Sequence, residues 1–402
     1  MAVLLSPLYV LVHIYIIRWL ILWLSVCKHQ FRRFRFRLIV AFVYLFFASA
    51  MGVGFFLPTG EIKRFFVKVG NIWLGILLYT ILVVIAADLI HVILKRIKRI
   101  DQEKLRSFKV FIVSGLVCTV SIAGLSVWGM VNAGNIHTTK YDVVVKKDAG
   151  PIDQMKIVLA ADLHMGYNIG CDRIQKMVEK INAEDPDLVV IAGDIFDNEY
   201  EALEEPEKLC GILRGIKSKY GVYACYGNHD IEEKILAGFT FGGSGKKQSD
   251  VRMDAFLEQA GITLLRDESV LIADQIYLYG RPDRQRPGRG IETRKTPGEI
   301  TADMDLSKPV IVMDHQPKEL QELADAGVDL DLCGHTHDGQ MFPGNLTIRL
   351  MWENPCGYMK KDDMHNIVTS GVGVFGPNMR VGTIAEICSV TVRFDMDGED
   401  LQ

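Results

Sequence analysis

Long apolar stretches alternate with short basic ones in the first third of the chain, and this pattern predicts four membrane-spanning helices. The apolar stretches are Val3–Val26, Leu38–Phe56, Asn71–Leu94 and Val110–Val131. Each is long enough for a helix to cross a hydrocarbon layer of roughly 30 Å. The first is too long for the apolar part of a signal peptide and has no basic segment before it. We therefore expect a four-helix transmembrane region over residues 1–131.

Basic residues between these stretches predict how the helices are oriented. The loop at Lys28–Arg37 carries five Lys or Arg and the loop at Lys95–Lys109 carries seven, whereas the loop between the second and third stretches carries three. Because strongly basic loops stay in the cytoplasm, the chain after Val131 should lie outside. The sequence therefore predicts a multi-pass protein of the cell membrane, with the lipid bilayer as a partner and an extracytoplasmic C-terminal domain.

Beyond the membrane region, short apolar runs alternate with helical patterns. We expect a linker and a first strand over residues 132–154 and a folded domain over residues 155–402. Helix-like sequence such as Arg173–Ala183 separates the apolar runs, which is typical of an α/β domain whose sheets are covered by helices. Gly242–Lys247 is expected to be a flexible loop. The runs that predict buried strands are Met155–Ala161, Leu188–Ala192, Gly221–Tyr226, Val310–Met313 and Leu330–Cys333.

A polar cluster follows each of the five predicted strands. The clusters are Asp162-Leu163-His164, Gly193–Asp197, Gly227–Asp230, Asp314-His315 and Gly334–His337. Half of the chain's ten histidines fall in them. A turn or a helix cap explains any one such cluster. Five in series indicate one shared site, because ligands of α/β sheets gather beyond the carboxyl ends of the strands.

The distribution of charge separates the two parts of the chain and limits its partners. Residues 1–109 hold 16 basic and 4 acidic residues, whereas residues 110–402 hold 29 and 45. The acidity of the second part argues against nucleic acid as a partner. The eight cysteines show no Cys-x-x-Cys spacing of the zinc or redox kind. Disulfides among the six cysteines of the soluble part stay open, since an exported domain can form them.

The polar clusters offer carboxylates, imidazoles and an amide, so no thiolate is needed to bind a metal ion. Such mixed ligands suit Mn²⁺, Fe²⁺ or Zn²⁺. Two of these ions about 3.5–4 Å apart, bridged by a carboxylate and a hydroxide, form a clamp for in-line attack at phosphorus. We therefore expect two divalent metal ions and a phosphoester substrate.

The order of the five blocks resembles that of the calcineurin-like metallophosphoesterases. The blocks are Asp-x-His, Gly-Asp-x-x-Asp, Gly-Asn-His-Asp, a lone His and Gly-His-x-His, and the resemblance covers roughly Met155–Val392. Within the family the chain is most similar to the membrane-associated bacterial branch, which includes cell-surface phosphodiesterases and lipid-precursor pyrophosphatases. The resemblance implies two packed mixed β-sheets flanked by helices. The predicted fold is thus an N-terminal four-helix transmembrane region plus an α/β metallophosphoesterase domain.

The resemblance also implies a role for each of nine residues. Asp162, His164 and His337 would bind one metal ion. Asn228, His315 and His335 would bind the other, and Asp194 would bridge the two. His229 would contact the phosphate and protonate or stabilise the leaving group, and Asp197 would orient His229.

Residues outside the blocks carry two further expectations. The segment Gly280–Arg284 departs from the Gly-x-Asp-Asp turn expected for the family. Its arginines, with Arg286 and Arg289, are expected to form a solvated basic loop or to bind a second phosphate or headgroup. His365 is expected to be a surface histidine.

The resulting functional prediction is a membrane-tethered dinuclear-metal hydrolase of phosphodiester or pyrophosphate bonds, with a metal-bridged hydroxide as nucleophile. Substrates linked to lipid or to the cell envelope are among the candidates. The alternatives are a phosphomonoesterase and a metal-free binding or sensor module. The second alternative is disfavoured because all seven ligand positions are filled. Transport is disfavoured because the interiors of the four helices hold few ionisable residues.

Overall fold

The structure, a computed structural model, describes residues 2–236, 239–241 and 248–396. By its backbone contacts the described chain divides into two compact units. The first unit holds the chain up to Met130 together with parts of two short later segments, Ile235–Phe241 and Gly376–Met379, and the second unit holds the rest. The loop predicted at Gly242–Lys247 lies outside the described residues.

Apolar helices account for most of the first unit. The first helices of the chain are α1 (Ala2–Cys27), α2 (Phe34–Phe56), α3 (Glu61–Arg96), α4 (Gln102–Leu105) and α5 (Phe108–Ala133). All but α4 are long and apolar enough to cross a membrane, which confirms the four predicted helices. However, α3 begins at Glu61 and not at Asn71. Apolar residues at Phe65, Phe66 and Val67 continue the helical pattern, so the segment expected to be a loop is helical.

Apolar side chains and a close contact at a glycine join the helices of the first unit. Ile16, Tyr44 and Leu77 form a buried cluster contributed by α1, α2 and α3. A Cβ atom added at Gly70 of α3 would lie 2.7 Å from the Cα of Met51 in α2. The two helices therefore approach at a distance that a larger residue at position 70 would prevent, which is typical of membrane helices.

Two six-stranded mixed sheets form the framework of the second unit. The strands that the structure describes are β1 (Ile136–Val145), β2 (Gln154–Ala160), β3 (Leu188–Ala192), β4 (Val222–Cys225), β5 (Lys234–Leu236), β6 (Phe239–Phe241), β7 (Ile262–Leu264), β8 (Glu268–Ile272), β9 (Ile276–Gly280), β10 (Val310–Met313), β11 (Leu330–Cys333), β12 (Gly357–Lys361), β13 (Met364–Val368) and β14 (Ala385–Phe394). One sheet has the order β1-β14-β2-β3-β4-β7 and the other has the order β12-β13-β11-β10-β9-β8. The short strands β5 and β6 pair with each other. The strands β2, β3 and β4 run parallel, as do β9, β10, β11 and β13. The five predicted strands are β2, β3, β4, β10 and β11.

Alternate side chains of the central strands pack the two sheets face to face. Ile157 and Leu159 of β2 share a buried cluster with Ile311 and Met313 of β10. The intervening Val158 belongs to the cluster on the outer face of its sheet. Successive side chains of a strand point to opposite faces, and both faces are covered here. The central strands are therefore apolar at nearly every position.

Helices cover the outer faces of both sheets. The remaining helices are α6 (Cys171–Ala183), α7 (Pro206–Leu213), α8 (Val251–Gln259), α9 (Pro297–Thr301), α10 (Leu320–Asp325) and α11 (Gly344–Thr347). Residues of α6, α7 and α8 pack on the first sheet, and residues of α9 and α10 pack on the second. These four layers confirm the expected pair of mixed sheets flanked by helices.

The prediction for His365 is wrong. This residue is 2 % exposed, because it lies in β13 between two neighbouring strands. Its Nε2–H donates to the carbonyl of Val144 at 2.9 Å, and its Nδ1 accepts from the Tyr358 hydroxyl at 3.0 Å. His365 is therefore a satisfied core histidine. All eight cysteines are free thiols.

The arginines after β9 are held by the protein itself. Arg281 is fully buried and pairs with Asp314 and Glu319, each at 2.8 Å. The guanidinium groups of Arg286 and Arg289 donate to backbone carbonyls at 2.9 and 2.7 Å. Arg281 therefore forms neither a solvated basic loop nor a second phosphate site, because its Nη1 and Nη2 atoms already pair with carboxylates inside the domain.

Candidate metal centre

The carboxyl ends of β2, β3, β4, β10 and β11 bring the polar clusters together. Beyond β2, the His164 N–H donates to the backbone carbonyl of Asp194 at 3.0 Å. Beyond β10 and β11, the Gly334 N–H donates to the carbonyl of His315 at 3.1 Å. The two sheets are joined where His315 Nδ1–H donates to the carbonyl of Ala192 at 2.9 Å. That bond fixes the tautomer of His315 and leaves its Nε2 free to bind a metal ion.

The first group of converging side chains consists of Asp162, His164 and His337. One ligand atom from each lies within 4.8 Å of the others, and all three residues are buried. The Nε2 atoms of the two imidazoles are 3.1 Å apart, and His337 Nε2 is 3.6 Å from Asp162 Oδ1. The three residues predicted to bind one metal ion therefore do meet in space.

The second group consists of Asp194, His315 and His335, again with ligand atoms within 4.8 Å of one another. His315 Nε2 lies 3.2 Å from Asp194 Oδ2 and 3.1 Å from His335 Nδ1. The same Asp194 oxygen is 3.8 Å from His164 Nε2 in the first group. Asp194 thus faces both groups, which is the position that a bridging ligand requires.

Asn228 is the remaining predicted ligand. Its Oδ1 atom is buried and accepts no hydrogen bond from any residue that the structure describes. A buried amide oxygen without a partner is costly and calls for an explanation. The next residue, His229, donates its backbone N–H to Asp194 Oδ1 at 2.7 Å, so the turn that carries Asn228 is tied to the second group. The structure does not bring Asn228 into either group by a direct side-chain bond.

His229 has a different hydrogen-bond partner from the one predicted. Its Nδ1 atom is 2.5 Å from Asn198 Oδ1, whereas the predicted partner Asp197 has its Oδ1 at 3.8 Å. Asp197 is equally far from His164 Nδ1, at 3.8 Å. The structure thus gives His229 Nδ1 the side chain of Asn198 as its hydrogen-bond partner, and the orienting role of Asp197 stays a prediction. Sequence reasoning missed Asn198, whose one signal is its position next to Asp197.

Burial and mutual charge shift the pKa values of the side chains in both groups. Burial raises the pKa of Asp162 to about 6. Burial alone would raise the pKa of Asp194, but the facing histidines, led by His315, hold it well below its usual value. Burial alone would lower the pKa of His315, but the Asp194 carboxylate raises it well above its usual value. Burial lowers the pKa of His229 to about 4. Asp194 and His315 therefore form a buried ion pair without metal.

The backbone at the site is held in a conformation that side chains rarely adopt. Five of the predicted ligands have positive φ angles: Asp162 at 53°, His164 at 47°, Asp194 at 50°, His335 at 75° and His337 at 50°. Such residues cost energy and are concentrated at functional sites.

One neighbouring glycine is needed for close approach. A Cβ atom added at Gly227 would lie 2.3 Å from Asp194 Oδ1. A side chain at position 227 would therefore displace the carboxylate that faces both groups.

Two further residues support or line the site. Arg380 is fully buried, and its Nη2 donates to the carbonyls of Ser370, Gly371 and Gly373 at 2.6, 3.1 and 2.9 Å. The ring of Phe375 lies with its centroid 4.7 Å from that of His229. The sequence gives no role to either residue, because their contacts join segments that are distant along the chain.

The two groups fit a pair of divalent cations. Their atoms are carboxylate oxygens and imidazole nitrogens, a donor set that suits Zn²⁺, Mn²⁺ or Fe²⁺. Imidazole nitrogens aimed at each other at 3.1 Å and an amide oxygen without a partner are what shared cations would satisfy. Asp162, His164 and His337 would hold one cation, and His315, His335 and Asn228 the other, with Asp194 between them.

Comparison with known proteins gives the same family by independent means. Residues 155–339 match the family model described as Calcineurin-like phosphoesterase. A Danio rerio protein named "Transmembrane protein with metallophosphoesterase domain" is 29% identical over 297 residues, which are 69% of this chain and 62% of that protein. An uncharacterized metallophosphoesterase of Helicobacter pylori is 30% identical over 243 residues, which are 58% of each chain. The chain thus spans about three fifths of the length of these relatives.

A shorter relative is covered more fully. An uncharacterized metallophosphoesterase of Aquifex aeolicus is 31% identical over 242 residues, which are 60% of this chain and 85% of that protein. The region that the family model matches, residues 155–339, includes the strands and turns that carry both groups of candidate ligands. This chain belongs to the calcineurin-like metallophosphoesterase family.

Proposed function

We propose that this protein is a membrane-tethered, metal-dependent hydrolase of phosphodiester or pyrophosphate bonds. The observation that carries the proposal is the convergence of two groups of buried ligand atoms on either side of Asp194. The metals are proposed to be two divalent ions of manganese, iron or zinc. When bound, such a pair lowers the pKa of a coordinated water and offsets the negative charge of a phosphoryl group.

The protein's own residues would hold this centre in place. Asp194 would keep the two cations together, because its Oδ2 faces histidines of both groups at 3.2 and 3.8 Å. The backbone N–H of His335 donates one bifurcated hydrogen bond to the two carboxylate oxygens of Asp162, at 3.1 and 2.9 Å. This bond also ties the first group to the second, so the six side chains are held together in one site.

His229 is proposed to contact the phosphate and to supply a proton to the leaving group. Its Nδ1–H donates to Asn198, so Nε2 carries the lone pair in the neutral ring. Burial lowers the pKa of His229 to about 4, and a bound anionic phosphate would raise it, because an opposite charge favours the imidazolium. Nε2 would then take up a proton when substrate binds and release it to the leaving oxygen.

Hydrolysis assays on the purified full-length chain test the proposal. In the presence of Mn²⁺ we expect faster hydrolysis of bis-p-nitrophenyl phosphate than of p-nitrophenyl phosphate. Asp194→Asn should reduce both to background, because two cations lose their shared anion. Exposed Asp172, at the start of α6, offers a matched control, and Asp172→Asn should leave the rates unchanged. Faster cleavage of the monoester would favour a phosphomonoesterase, and undiminished turnover by Asp194→Asn would exclude the mechanism.

The membrane tether is proposed from the four apolar helices. The name of the Danio rerio relative, a transmembrane protein with a metallophosphoesterase domain, supports it. The basic loops at Lys28–Arg37 and Lys95–Lys109 support a cytoplasmic position for both loops and an extracytoplasmic position for the hydrolase. Substrates would then be phosphoesters of the lipid or the cell envelope.

A further inference from the structure

A row of exposed apolar side chains lies close to the metal centre in the second unit. Phe342, Leu346, Leu350 and Met351 are 45, 56, 88 and 75% exposed, and we call them the apolar ridge. Beyond α5, the structure describes nine large apolar side chains as exposed, and these four fall within ten consecutive residues. Such clustering is not expected of the surface of a soluble domain, where exposed apolar residues are scattered singly.

The ridge is built on a well-defined backbone. The Phe342 N–H donates to the carbonyl of Val381 at 2.8 Å, and the Leu346 N–H donates to that of Pro343 at 2.9 Å. A short 3₁₀ turn over Ile348–Leu350 follows α11. These bonds hold the segment, so its apolar side chains are presented to the outside by a formed structure.

Both ends of the segment are anchored at the metal centre. The segment begins at Phe342, five residues after His337, a member of the first group. It ends at Trp352, whose ring centroid is 5.0 Å from that of His335 in the second group. Whatever covers the apolar ridge therefore lies next to the reacting groups.

The charges around the ridge favour a lipid surface over another protein. Exposed Arg349 lies between Leu346 and Leu350 in sequence, and the Lys318 ammonium is 4.7 Å from the centroid of the Trp352 ring. Apolar side chains flanked by an interfacial tryptophan and cations are typical of segments that lie in the headgroup region of a bilayer. The same chain carries four helices that can cross a membrane, so a bilayer is the surface available to this protein.

We propose that the apolar ridge docks on the lipid bilayer and holds the metal centre at the level of the headgroups. The substrate class that follows is a phosphoester carried by a membrane lipid. This second statement rests on the proposed function, whereas the docking itself does not. Phe342, Leu346, Leu350 and Met351 insert among the lipids, and Arg349 and Lys318 contact anionic headgroups.

Fluorescence quenching in nanodiscs tests the docking without any assay of activity. The full-length chain carrying Leu350→Cys is labelled with an environment-sensitive nitrobenzoxadiazole dye in nanodiscs of phosphatidylethanolamine, phosphatidylglycerol and a nitroxide-labelled lipid. Leu306→Cys is the matched control, since Leu306 is 42% exposed but lies outside the ridge. Unsubstituted protein, labelled in parallel, corrects for dye at exposed Cys27. We expect quenching at position 350 to exceed that at 306 by about twofold or more.

Equal quenching at positions 350 and 306 would overturn the docking. Equal quenching is also the result expected if a second copy of the chain or another protein, and not lipid, covers the ridge.

The substrate class is tested with the double variant Leu350→Asp and Met351→Asp. Its KM for dye-labelled phosphatidylglycerol in nanodiscs should rise by about tenfold, while that for bis-p-nitrophenyl phosphate stays unchanged. An equal effect on both substrates, or none on the lipid, would overturn the substrate class. Inactivity of the unsubstituted protein on both would contradict the proposed function, and the quenching result would still stand.

Discussion

Asp194 is the residue on which the two groups of ligands depend. Its Oδ1 accepts the backbone N–H of His229 at 2.7 Å, while its Oδ2 faces His315 and His164. One side chain thus serves the turn after β4 and both candidate cations. The close packing of Gly227 on this carboxylate explains why a glycine precedes the Asn228-His229 pair.

Asn198 is predicted to position His229 for proton transfer. Asn198→Ala removes the acceptor 2.5 Å from His229 Nδ1, so the imidazole loses its fixed tautomer and orientation. We expect kcat on bis-p-nitrophenyl phosphate to fall by about 10–100-fold with metal content unchanged. Asn182→Ala, which removes a partly buried asparagine bonded to a loop distant from the site, is the matched control and should have no effect on kcat.

The pH profile separates this positioning role from a structural one. Asn198→Asp keeps an acceptor but adds a negative charge, which favours the imidazolium and raises the pKa of His229. The limb of the pH–rate profile due to His229 should therefore move to higher pH, and kcat should be partly restored relative to Asn198→Ala. An unmoved profile in Asn198→Asp would contradict the role given to Asn198.

Metal binding is predicted to release protons. The Asp194 carboxylate overcomes the effect of burial and raises the pKa of His315 well above its usual value, so the metal-free protein holds a proton there at pH 7. A cation needs that imidazole neutral, and its binding should release about one proton per chain from this site. As the pH rises through the raised pKa of His315, the proton leaves before the cation binds, so the release should become smaller with increasing pH. Titration calorimetry of chelator-treated protein in buffers of different ionisation enthalpy measures it, and heats independent of the buffer would contradict the assignment.

Residue identities were the most predictable part of the site, because the five polar blocks directly follow apolar strands. The parallel strands carry Asp162, Asp194 and His335 to one edge, and their chemistry then follows from their side chains. The partner of His229 was not predictable in this way. The choice between Asp197 and Asn198 depends on a backbone turn in which Asn198 has a φ of 63°, and adjacent residues carry no such information.

At the scale of elements, the strands buried on both faces were predictable and the half-exposed ones were not. β3, β10 and β11 are buried at every position and β2 at five of its seven, and apolar residues predominate in all four. β8 and β12 are edge strands with exposed positions, so their sequences resemble loops. For a similar reason the predicted third helix begins too late in the sequence, since the first turns of α3 mix charged and apolar residues.

The segment between β13 and β14 is predicted to depend on Arg380. The buried guanidinium is bonded to three carbonyls of this segment, and Gly371 of the same segment packs against Asp162. Arg380→Met removes the donor that these three carbonyls share and should lower the free energy of unfolding by about 2–4 kcal/mol. It should also weaken metal binding. Chemical denaturation of the metal-free and metal-loaded protein measures both effects.

Arg393→Met is the matched control for this variant. Arg393 is half exposed and lies 3.8 Å from Asp142, so its removal should change the free energy of unfolding by less than about 1 kcal/mol. Equal effects of the two variants would show that Arg380 has no special part in holding the segment.

At the scale of the whole molecule, one chain carries both the four membrane-capable helices and the metal centre. The basic loops between the helices predict how the chain is oriented in the membrane. An epitope tag placed after Met396 should be reached by antibody on intact cells, because the hydrolase is proposed to lie outside. A tag in the loop at Lys95–Lys109 should be reached only after permeabilisation. The reverse pattern would place the hydrolase in the cytoplasm and leave the metal centre unaffected.

Metal content of the full-length protein tests the central claim most directly. Mass spectrometry of protein purified without chelator, and of the same protein carrying Asp194→Asn, counts the bound ions. We predict about two divalent ions per unsubstituted chain and a clear loss in the variant, with Asp172→Asn retaining both. An unsubstituted chain that binds no divalent ion, or a variant that keeps both, would contradict the paired-cation centre.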